Sequence, residues 1–414
     1  MTRLHLTLVV SLCGVGFLAH GCKVSGDDAL PVAAGTALTG AVYGVAVGGA
    51  ALVPLAGAEV RVVNLGAVTH TDAAGAFALS NLRAVEQAFV VASLSGYSSA
   101  HQRIYLSADK STTVILQLKE RPPTQVVTLD SAPVEVVEGA ARIIVDADDL
   151  VVESTGAAVS GDIEVSLVPY DPAAEPALLP APLVARDQGS GALFPLYSYG
   201  MTDIVLSQGG EILNVAPGHT LTWILNVAPG RRQYVGVAVP RTYWFNPAPE
   251  VFLWEEYGTW SYDAATGDFV SELPHLSDPN VDAPPPSRTC LKVKVLLPPW
   301  VTAIPHVAVP EALASAPFTG TEACFDAACP NAPIGGAGEI AATVDDAGTL
   351  LQKTVAMPEV ACVGVSCGGG CQTVTIDFCQ TPRKQAGERC ETHSLDACCD
   401  VEYSCEDAVC VPAR

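Results

Sequence analysis

The sequence predicts an all-β fold, with tandem β-sandwich domains followed by a small disulfide-rich module at the C-terminal end. Short segments alternate apolar and polar residues at the period of two that is typical of half-buried strands. The chain holds 36 glycines and 31 prolines among 414 residues, a content that favours many turns over long helices. No stretch has a convincing helical period. We therefore expect strands joined by turns along the whole chain.

Composition narrows the classes of function. With 49% hydrophobic and 16% charged residues, the chain has the composition of a folded protein and not of a disordered one. Lys and Arg together number 21 against 44 Asp and Glu, which gives a formal net charge of −23. Because phosphate binding needs clustered Lys and Arg, we expect no nucleic-acid partner.

Residues 1–21 have the pattern of a signal peptide. Arg3 supplies the positive start, and an apolar run extends from Leu6 to Ala19. This run is too short to cross a bilayer core of roughly 30 Å as a helix. The pattern predicts an exported protein.

Cys22 directly follows this segment. The residues Ala19-His20-Gly21-Cys22 resemble the bacterial lipobox, although His20 is atypical there and Ala19 replaces the usual leucine. The resemblance implies cleavage before Cys22 and a lipid anchor on this residue. The polar run from Lys23 to Asp28 predicts a tether over residues 22–36. Lys23 in the next position favours the outer membrane or cell surface. The alternative is an ordinary signal peptide cut nearby, with Cys22 as a plain thiol.

Residues 37–120 predict a small β-sandwich. Strand signals occur at Ala58–Val62, Ala76–Leu79, Phe89–Ala92 and Thr112–Leu118. In order and spacing, this region resembles the carboxypeptidase regulatory-like domain, a transthyretin-like sandwich. The matching pieces are Gly40-Ala41-Val42, Pro54 to Val60, Thr71 to Phe77, Asn81-Leu82 and Ser95-Gly96-Tyr97. The resemblance implies an accessory module without catalytic residues.

Residues 124–282 predict a second, larger β-domain, joined to the first by the stiff linker 121–123. Strands are expected at 132–136, 141–145, 162–167, 202–206 and 220–225. The proline-rich interval Tyr170–Pro182 is a long loop, and loops of that length are usually functional or mobile. The end of the region, from Val251 to Ser277, resembles a segment of bacterial surface proteins and of animal cartilage intermediate layer proteins. That resemblance implies an extracellular scaffold without assigned chemistry.

The triplet His275-Leu276-Ser277 suggests a more specific activity. It is similar to the self-cleavage site of autoproteolytic β-domains such as the GAIN and ZU5-type families. The similarity implies that the Ser277 hydroxyl attacks the Leu276 carbonyl while His275 assists as a base. The alternative is that the three residues merely close a sandwich.

Tryptophans in the second domain suggest carbohydrate binding as an alternative function, because sugars stack on exposed aromatic faces. Trp244, Trp254 and Trp260 are the candidate ligand contacts, and Trp244 lies in the loop-like sequence Tyr243 to Pro247. The competing interpretation is that these rings fill the core, since the aromatic content of 6% leaves no excess to explain.

Residues 288–379 predict a third, disulfide-bearing Ig-like sandwich after the linker 282–287. Leu291–Val295 alternates strictly, and Thr373–Phe378 predicts the last strand. The domain holds an odd number of cysteines: Cys290, Cys324, Cys329, Cys362, Cys367, Cys371 and Cys379. Disulfides are the expected chemistry in an exported protein. Zinc is the alternative, but no Cys-x-x-Cys appears and export favours disulfides, so no metal is expected.

The tail, residues 380–414, holds another odd set: Cys390, Cys398, Cys399, Cys405 and Cys410. If every cysteine forms a disulfide, Cys379 must be counted with the tail, which then holds six cysteines and leaves six in the third sandwich. Fifteen pairings of the tail set remain open from the residues alone. The adjacent cysteines Cys398-Cys399 lie in the middle of these six, an arrangement similar to that of the inhibitor cystine knot. That similarity implies the pairs Cys379–Cys399, Cys390–Cys405 and Cys398–Cys410.

Sequence motifs for catalysis are missing. The chain has no His-Glu-x-x-His and no phosphate-binding glycine loop. A paired-carboxylate hydrolase stays open, because nothing singles out one pair among many acids. We expect a non-enzymatic surface lipoprotein without a cofactor, with independent domains arranged along a tether. Its expected role is structural, adhesive or protein-binding, and its expected partner is a surface protein or polysaccharide.

Overall fold

The all-β prediction is confirmed by the computed structural model of the chain. The regular structure of the described part is almost entirely β-strand, with three helical turns at Val63–Leu65, Ala147–Asp149 and Pro229–Arg232. The structure describes residues 36–45, 52–108, 110–130, 132–172, 174–175, 178–186, 190–233, 235, 240–257, 259–283, 287–297, 301, 304–309, 312–314, 322–329, 339–346, 349–356, 371–378, 403–406 and 409–412. The signal peptide, the tether and Cys22 lie outside these ranges.

The first sandwich is built from β1 (Thr36–Val45), β2 (Leu52–Pro54), β3 (Glu59–Val62), β4 (Ala67–His70), β5 (Ala76–Leu82), β6 (Val85–Ser93), β7 (Ala100–Leu106) and β8 (Ser111–Lys119). In one sheet, β1 pairs with β8 in parallel and with β5 and β2 antiparallel. The other sheet has the order β4-β3-β6-β7. Alternate side chains such as Val60, Val62, Val90 and Leu116 fill the core between the sheets, as the period of two predicts.

The second sandwich comprises β9 (Gln125–Leu129), β10 (Val134–Glu138), β11 (Ala141–Val145), β12 (Leu150–Val152), β13 (Gly161–Tyr170), β14 (Val184–Arg186), β15 (Leu193–Pro195), β16 (Tyr197–Gln208), β17 (Glu211–Val215), β18 (Leu221–Asn226), β19 (Arg241–Asn246), β20 (Leu253–Glu256), β21 (Thr259–Asp263), β22 (Asp268–Leu273) and β23 (Pro279–Ala283). A five-stranded sheet, β10-β11-β18-β22-β21, faces a larger sheet. The larger sheet runs β12-β17-β16-β23-β19-β20-β14-β15, with β13 and β9 continuing from β16. Trp223 and Phe269 are fully buried between the sheets.

The third sandwich comprises β24 (Ser287–Leu296), β25 (His306–Ala308), β26 (Ala312–Ala314), β27 (Glu322–Cys329), β28 (Glu339–Asp346), β29 (Thr349–Ala356) and β30 (Gln372–Asp377). Its sheets, β26-β27-β24-β30 and β25-β28-β29, enclose a core of their own. In the tail, β31 (Tyr403–Glu406) and β32 (Val409–Pro412) form an antiparallel hairpin in which Cys405 lies opposite Cys410.

The first two sandwiches share a hydrophobic core. Phe89 on β6 stacks on Phe252, with 4.4 Å between ring centroids and 12° between planes. His101 on β7 lies 4.8 Å from the Phe245 ring, and Arg103 donates to the Phe252 carbonyl at 2.6 Å. We call this contact surface of Phe89, His101, Arg103, Phe245 and Phe252 the seam.

The three sandwiches contact one another. The long loop after β13 packs into the seam through Leu178 and Ala181, and its Pro180 carbonyl accepts the backbone N–H of His101 at 2.7 Å. Ile304 of the third sandwich exchanges backbone hydrogen bonds with Ser111 (2.9 Å) and Thr113 (3.2 Å) on β8. The described residues from Thr36 onward therefore form one compact unit. Within those ranges, no helix has the length and apolarity needed to cross a membrane.

Candidate functional site

The sequence-predicted triplet lies in a loop that joins β22 to β23, which we call the 274–278 loop. Its walls come from three other parts of the second sandwich: Trp244 on β19, Tyr257 after β20 and Asn214 on β17. The Leu276 N–H donates to the Asn214 side-chain oxygen at 2.8 Å. This hydrogen bond fixes the peptide directly before the proposed cleavage point.

His275 is held between two aromatic rings. It stacks on Tyr257 at 4.8 Å between centroids, with 23° between planes, and meets Trp244 edge-on at 4.7 Å. Burial lowers the pKa of His275, while a hydrogen bond to the Leu276 backbone acts more weakly in the opposite direction. The environment therefore favours the neutral imidazole, which is the form a general base requires.

The Ser277 hydroxyl lies close to the Tyr257 hydroxyl. The Tyr257 and Ser277 side-chain oxygens are 3.5 Å apart. Burial raises the pKa of the Tyr257 phenol, so this group keeps its proton at neutral pH. Tyr257 can thus donate a hydrogen bond but is a poor base. The structure brings the three residues of the triplet together with Tyr257, and it places His275 against the Leu276 backbone.

A pair of carboxyl groups lies at the end of the same loop, which sequence reasoning did not single out. Asp203 on β16 is buried and forms an ion pair with Arg121. Burial is the main cause that holds the pKa of Asp278 well above its usual range. The negative charge of Asp203 raises this pKa further, and the positive charge of Arg121 opposes the rise. Burial likewise raises the pKa of Asp203. Arg121 also donates to the Tyr97 carbonyl at 3.2 Å, so the acid pair adjoins the first sandwich.

The three candidate tryptophans do not form one platform. Trp254 is only 1% exposed and donates to the Pro182 carbonyl at 3.0 Å, so it presents no ring face to a ligand. Trp244 is half-buried, and its ring is in contact with the His275 ring. Trp260, on the edge strand β21, is 39% exposed, with one face stacked on Phe269 at 5.2 Å. Only Trp260 retains the exposure that sugar stacking needs.

Two edge strands of the second sandwich lie side by side and expose apolar side chains. Among the described strands, β9 pairs only with β13, and β10 pairs only with β11. Gln125 on β9 donates its side-chain N–H to the Val137 carbonyl on β10 at 2.9 Å. Val126 is 64% exposed and Val137 is 49% exposed. We call this surface the β9–β10 edge.

Sequence reasoning missed the β9–β10 edge because each strand by itself has an ordinary alternating pattern. The signal present was the valine pairs Val126-Val127 and Val136-Val137, since two adjacent valines place one apolar side chain on each face of a strand. In both pairs one member is buried or half-buried and the other is exposed.

The disulfide prediction has one described example. Cys290 and Cys371 form a disulfide, with 4.9 Å between their Cα atoms. Cys324 is also disulfide-bonded. Nothing is described for the side chains of the other predicted disulfide cysteines, which are Cys329, Cys362, Cys367, Cys379, Cys390, Cys398, Cys399, Cys405 and Cys410. The cystine-knot pairing therefore falls outside the described residues.

Comparison with known proteins supports the family resemblance of the first sandwich. The carboxypeptidase regulatory-like domain family model matches residues 41–119, which confirms the predicted resemblance. No curated protein matches the chain significantly in sequence.

Among solved structures, the chain is similar to the Bacillus anthracis TIE protein. The two are 11% identical, with a TM-score of 0.19. The match covers 83% of this chain and 50% of the other, so this chain spans about half the length of that structure. A likeness this weak carries no argument about fold or function.

Proposed function

We propose that this protein is a surface-displayed scaffold, anchored through a lipid on Cys22, that binds another protein along the β9–β10 edge. The matched regulatory-like domain supports an accessory, non-catalytic role for the first sandwich. The seam packs that domain against the second sandwich, which presents the edge.

The β9–β10 edge is the observation that carries this proposal. An edge strand offers backbone N–H and C=O groups on which another strand can pair. Val126 and Val137 add exposed apolar area beside those groups. The carboxylates on β10 are already engaged within the domain, Glu135 by Arg142 and Glu138 by Gln125. The edge therefore fits an extended protein segment that carries apolar side chains.

Site-specific photo-crosslinking on intact cells tests this surface. A photoreactive phenylalanine analogue replaces Val126 or Val137, and Val68 on β4 serves as the matched control because it is 50% exposed on the first sandwich. We expect the same adduct from both edge positions and at least about tenfold less of it from position 68. Equal adduct yield at all three positions, or no adduct at 126 and 137, would contradict the proposal.

The anchor is tested separately with Cys22→Ala. Radiolabelled palmitate should label the wild-type protein and not the variant, and protease added to intact cells should digest the wild-type chain. A chain that stays unlabelled and protected from the protease would overturn the lipid-anchored display.

Self-cleavage between Leu276 and Ser277 is the second candidate function. The observation that favours it is the 274–278 loop, where Asn214 fixes the Leu276 peptide and Tyr257 can donate a hydrogen bond to Ser277. The Ser277 hydroxyl would attack the Leu276 carbonyl, and the peptide bond would become an ester that water hydrolyses.

A denaturing gel with N-terminal sequencing tests this activity. We expect a fragment that begins at Ser277 in the wild type and an uncleaved chain in Ser277→Ala. Asp278→Asn is the matched control, since it changes the next residue without removing the hydroxyl. A single full-length band from the wild type rules the activity out.

A further inference from the structure

A proline follows the acid at the end of the 274–278 loop. Asp278-Pro279 joins this loop to β23, and a second Asp-Pro bond, Asp171-Pro172, comes directly after β13. An Asp-Pro bond is unusually open to attack by its own side chain, because the carboxyl reaches the carbonyl carbon of the same residue and the proline nitrogen leaves as a secondary amine. The chain therefore offers two such bonds in different surroundings.

Strand register places a second carboxyl against Asp278. Met201 on β16 pairs with Asn280 on β23 in an antiparallel register. Continuing this register by two residues puts Asp278 opposite Asp203, with both side chains on the same side of the sheet. Asp203 is buried, so the two acidic side chains meet where little water separates them.

Arg121 decides which of these two carboxyls carries the negative charge. Its guanidinium forms the ion pair with Asp203. Because two adjacent carboxylates repel each other, the carboxyl of Asp278, outside this ion pair, keeps its proton. The raised pKa of Asp278 agrees with this assignment. The nearby phenols of Tyr170 and Tyr257 also stay neutral, since burial raises the pKa of each.

The other Asp-Pro bond lies in a different environment. Continuing the β13–β16 register by one residue puts Asp171 opposite Gly200, which has no side chain. The Asp171 carboxyl accepts the Ala174 N–H at 3.3 Å in an exposed turn. Asp171-Pro172 is therefore a matched reference bond, with the same two residues but no acid opposite.

We propose that the Asp278–Pro279 peptide bond is a self-cleavage site, with the Asp278 side chain as the nucleophile and Asp203 as a positioning residue that keeps the proton on it. An oxygen of the neutral Asp278 carboxyl attacks the backbone carbonyl carbon of the same residue and closes a five-membered anhydride. The bond to the Pro279 nitrogen breaks, and the carboxyl proton passes to that nitrogen. Water then opens the anhydride to two carboxyl groups, and it has access because Asp278 is only half-buried.

This reaction is separate from the cleavage between Leu276 and Ser277. It breaks a bond two residues later and uses a carboxyl instead of a hydroxyl. Both reacting groups belong to one residue, so no distant side chain has to be brought to the carbonyl. The neutral carboxyl supplies both the attacking oxygen and the proton that the leaving nitrogen needs.

Cleavage here would leave the two fragments assembled without a covalent link. β23 begins at Pro279 and lies between β16 and β19, whose backbone pairing holds the second fragment in the sheet. Every cysteine except Cys13 and Cys22 lies after the break. The third sandwich follows β23 and would become a releasable part. Its release from cells rests on the proposed anchor at Cys22, whereas the bond cleavage does not.

Incubation in mild acid with N-terminal sequencing tests the cleavage. The purified full chain is kept at about pH 8 and then shifted to about pH 6, where an ordinary aspartyl carboxyl is only about 1% protonated. We expect the fragment that begins at Pro279 to exceed one that begins at Pro172 by at least about tenfold. The excess should disappear in urea at the same pH, because unfolding separates Asp278 from Asp203.

Two outcomes would overturn the proposal: no Pro279 fragment from the folded chain, or equal cleavage of the two Asp-Pro bonds. A fragment that begins at Ser277 reports the other self-cleavage. Sequencing therefore distinguishes the failure of one activity from the failure of the other.

Two variants test the roles of the acids. Asp278→Glu keeps a carboxyl near Asp203 but enlarges the anhydride ring by one atom, so cleavage should slow at least about tenfold. Asp203→Asn removes the opposing charge, so the pH of half-maximal cleavage should move lower as Asp278 loses its proton more readily. Full cleavage in Asp278→Glu would overturn the nucleophile, and an unchanged pH profile in Asp203→Asn would overturn the positioning role.

Discussion

The seam and the third sandwich both join strands that are far apart in the sequence, but different forces hold them. The seam packs large rings, with Phe89 against Phe252 and Phe245 against Trp254. The described core of the third sandwich consists mainly of Val, Ile and Ala side chains, and the Cys290–Cys371 disulfide links its neighbouring strands. Aromatic burial supplies much of the stability where area is available. Disulfides add stability where the core is small.

Removing a ring from the seam should have the largest effect. Phe252 is buried and adopts a positive φ of 47°, a strained conformation that its packing against Phe89 and Phe245 maintains. Phe252→Ala should lower the free energy of unfolding of the joined sandwiches by about 3–5 kcal/mol, measured in urea. Phe252→Leu, which keeps most of the apolar volume, should lose clearly less. A loss below about 1 kcal/mol for the alanine variant would mean that the seam contributes little.

Removing the disulfide of the third sandwich should have the next largest effect. The Cys290→Ala, Cys371→Ala double variant opens a link between residues 81 positions apart. We expect that sandwich to lose about 2–4 kcal/mol, while the unfolding of the first two sandwiches stays unchanged. Hydrogen exchange resolved by peptide measures both. Loss of protection in the seam would contradict the separation of the two regions.

Acid should weaken the seam through His101. Burial, against an opposing hydrogen bond to the Pro180 backbone, lowers the pKa of His101 from 6.5 to about 4. The folded protein thus keeps the imidazole neutral where the unfolded chain takes up a proton. Stability is full above pH 6.5 and falls by about 3 kcal/mol as pH drops to about 4.

Comparing unfolding at pH 7 and pH 4.5 for the wild type and His101→Phe measures this contribution. The variant removes the titrating group and keeps a ring against Phe245. Its stability should change less with pH than that of the wild type. An identical pH dependence of the two proteins would assign the acid effect to other groups.

Changes at the β9–β10 edge should have the smallest effect on stability. Val126→Lys alters a side chain that is 64% exposed, so the free energy of unfolding should change by less than about 0.5 kcal/mol. The same substitution should abolish crosslinking of the partner from position 137. A variant that retains the full adduct would indicate that the partner binds elsewhere.

Local pattern sufficed to predict much of the fold. The segment Ala141–Val145 coincides with β11, and Leu291–Val295 lies within β24, because strand alternation is a property of a few consecutive residues. The first sandwich was predictable in addition from turn and core motifs at fixed spacing. The Ala88–Ala92 run was a partial clue to the seam, since continuous apolar strands are covered on both faces.

Long-range packing could not be predicted. Nothing local to Phe89 indicates that its ring meets Phe252, and Arg121 in the predicted linker instead forms a partly buried ion pair with Asp203. For the candidate site, the triplet was visible as a motif, but its walls, Trp244, Tyr257 and Asn214, come from separate strands. Trp254 could equally have been a core or a ligand-binding residue by composition, and only its burial decides between them.

Urea unfolding followed by pulsed hydrogen exchange, with and without dithiothreitol, tests the contrast between the two regions most directly. Peptides from 36–119 and 125–283 should lose protection in one common transition that the reductant does not shift. Peptides from 287–377 should lose protection at a lower urea concentration once the reductant is present. Separate transitions for the first two sandwiches, or a shift of their transition on reduction, would contradict a shared core that holds without covalent links.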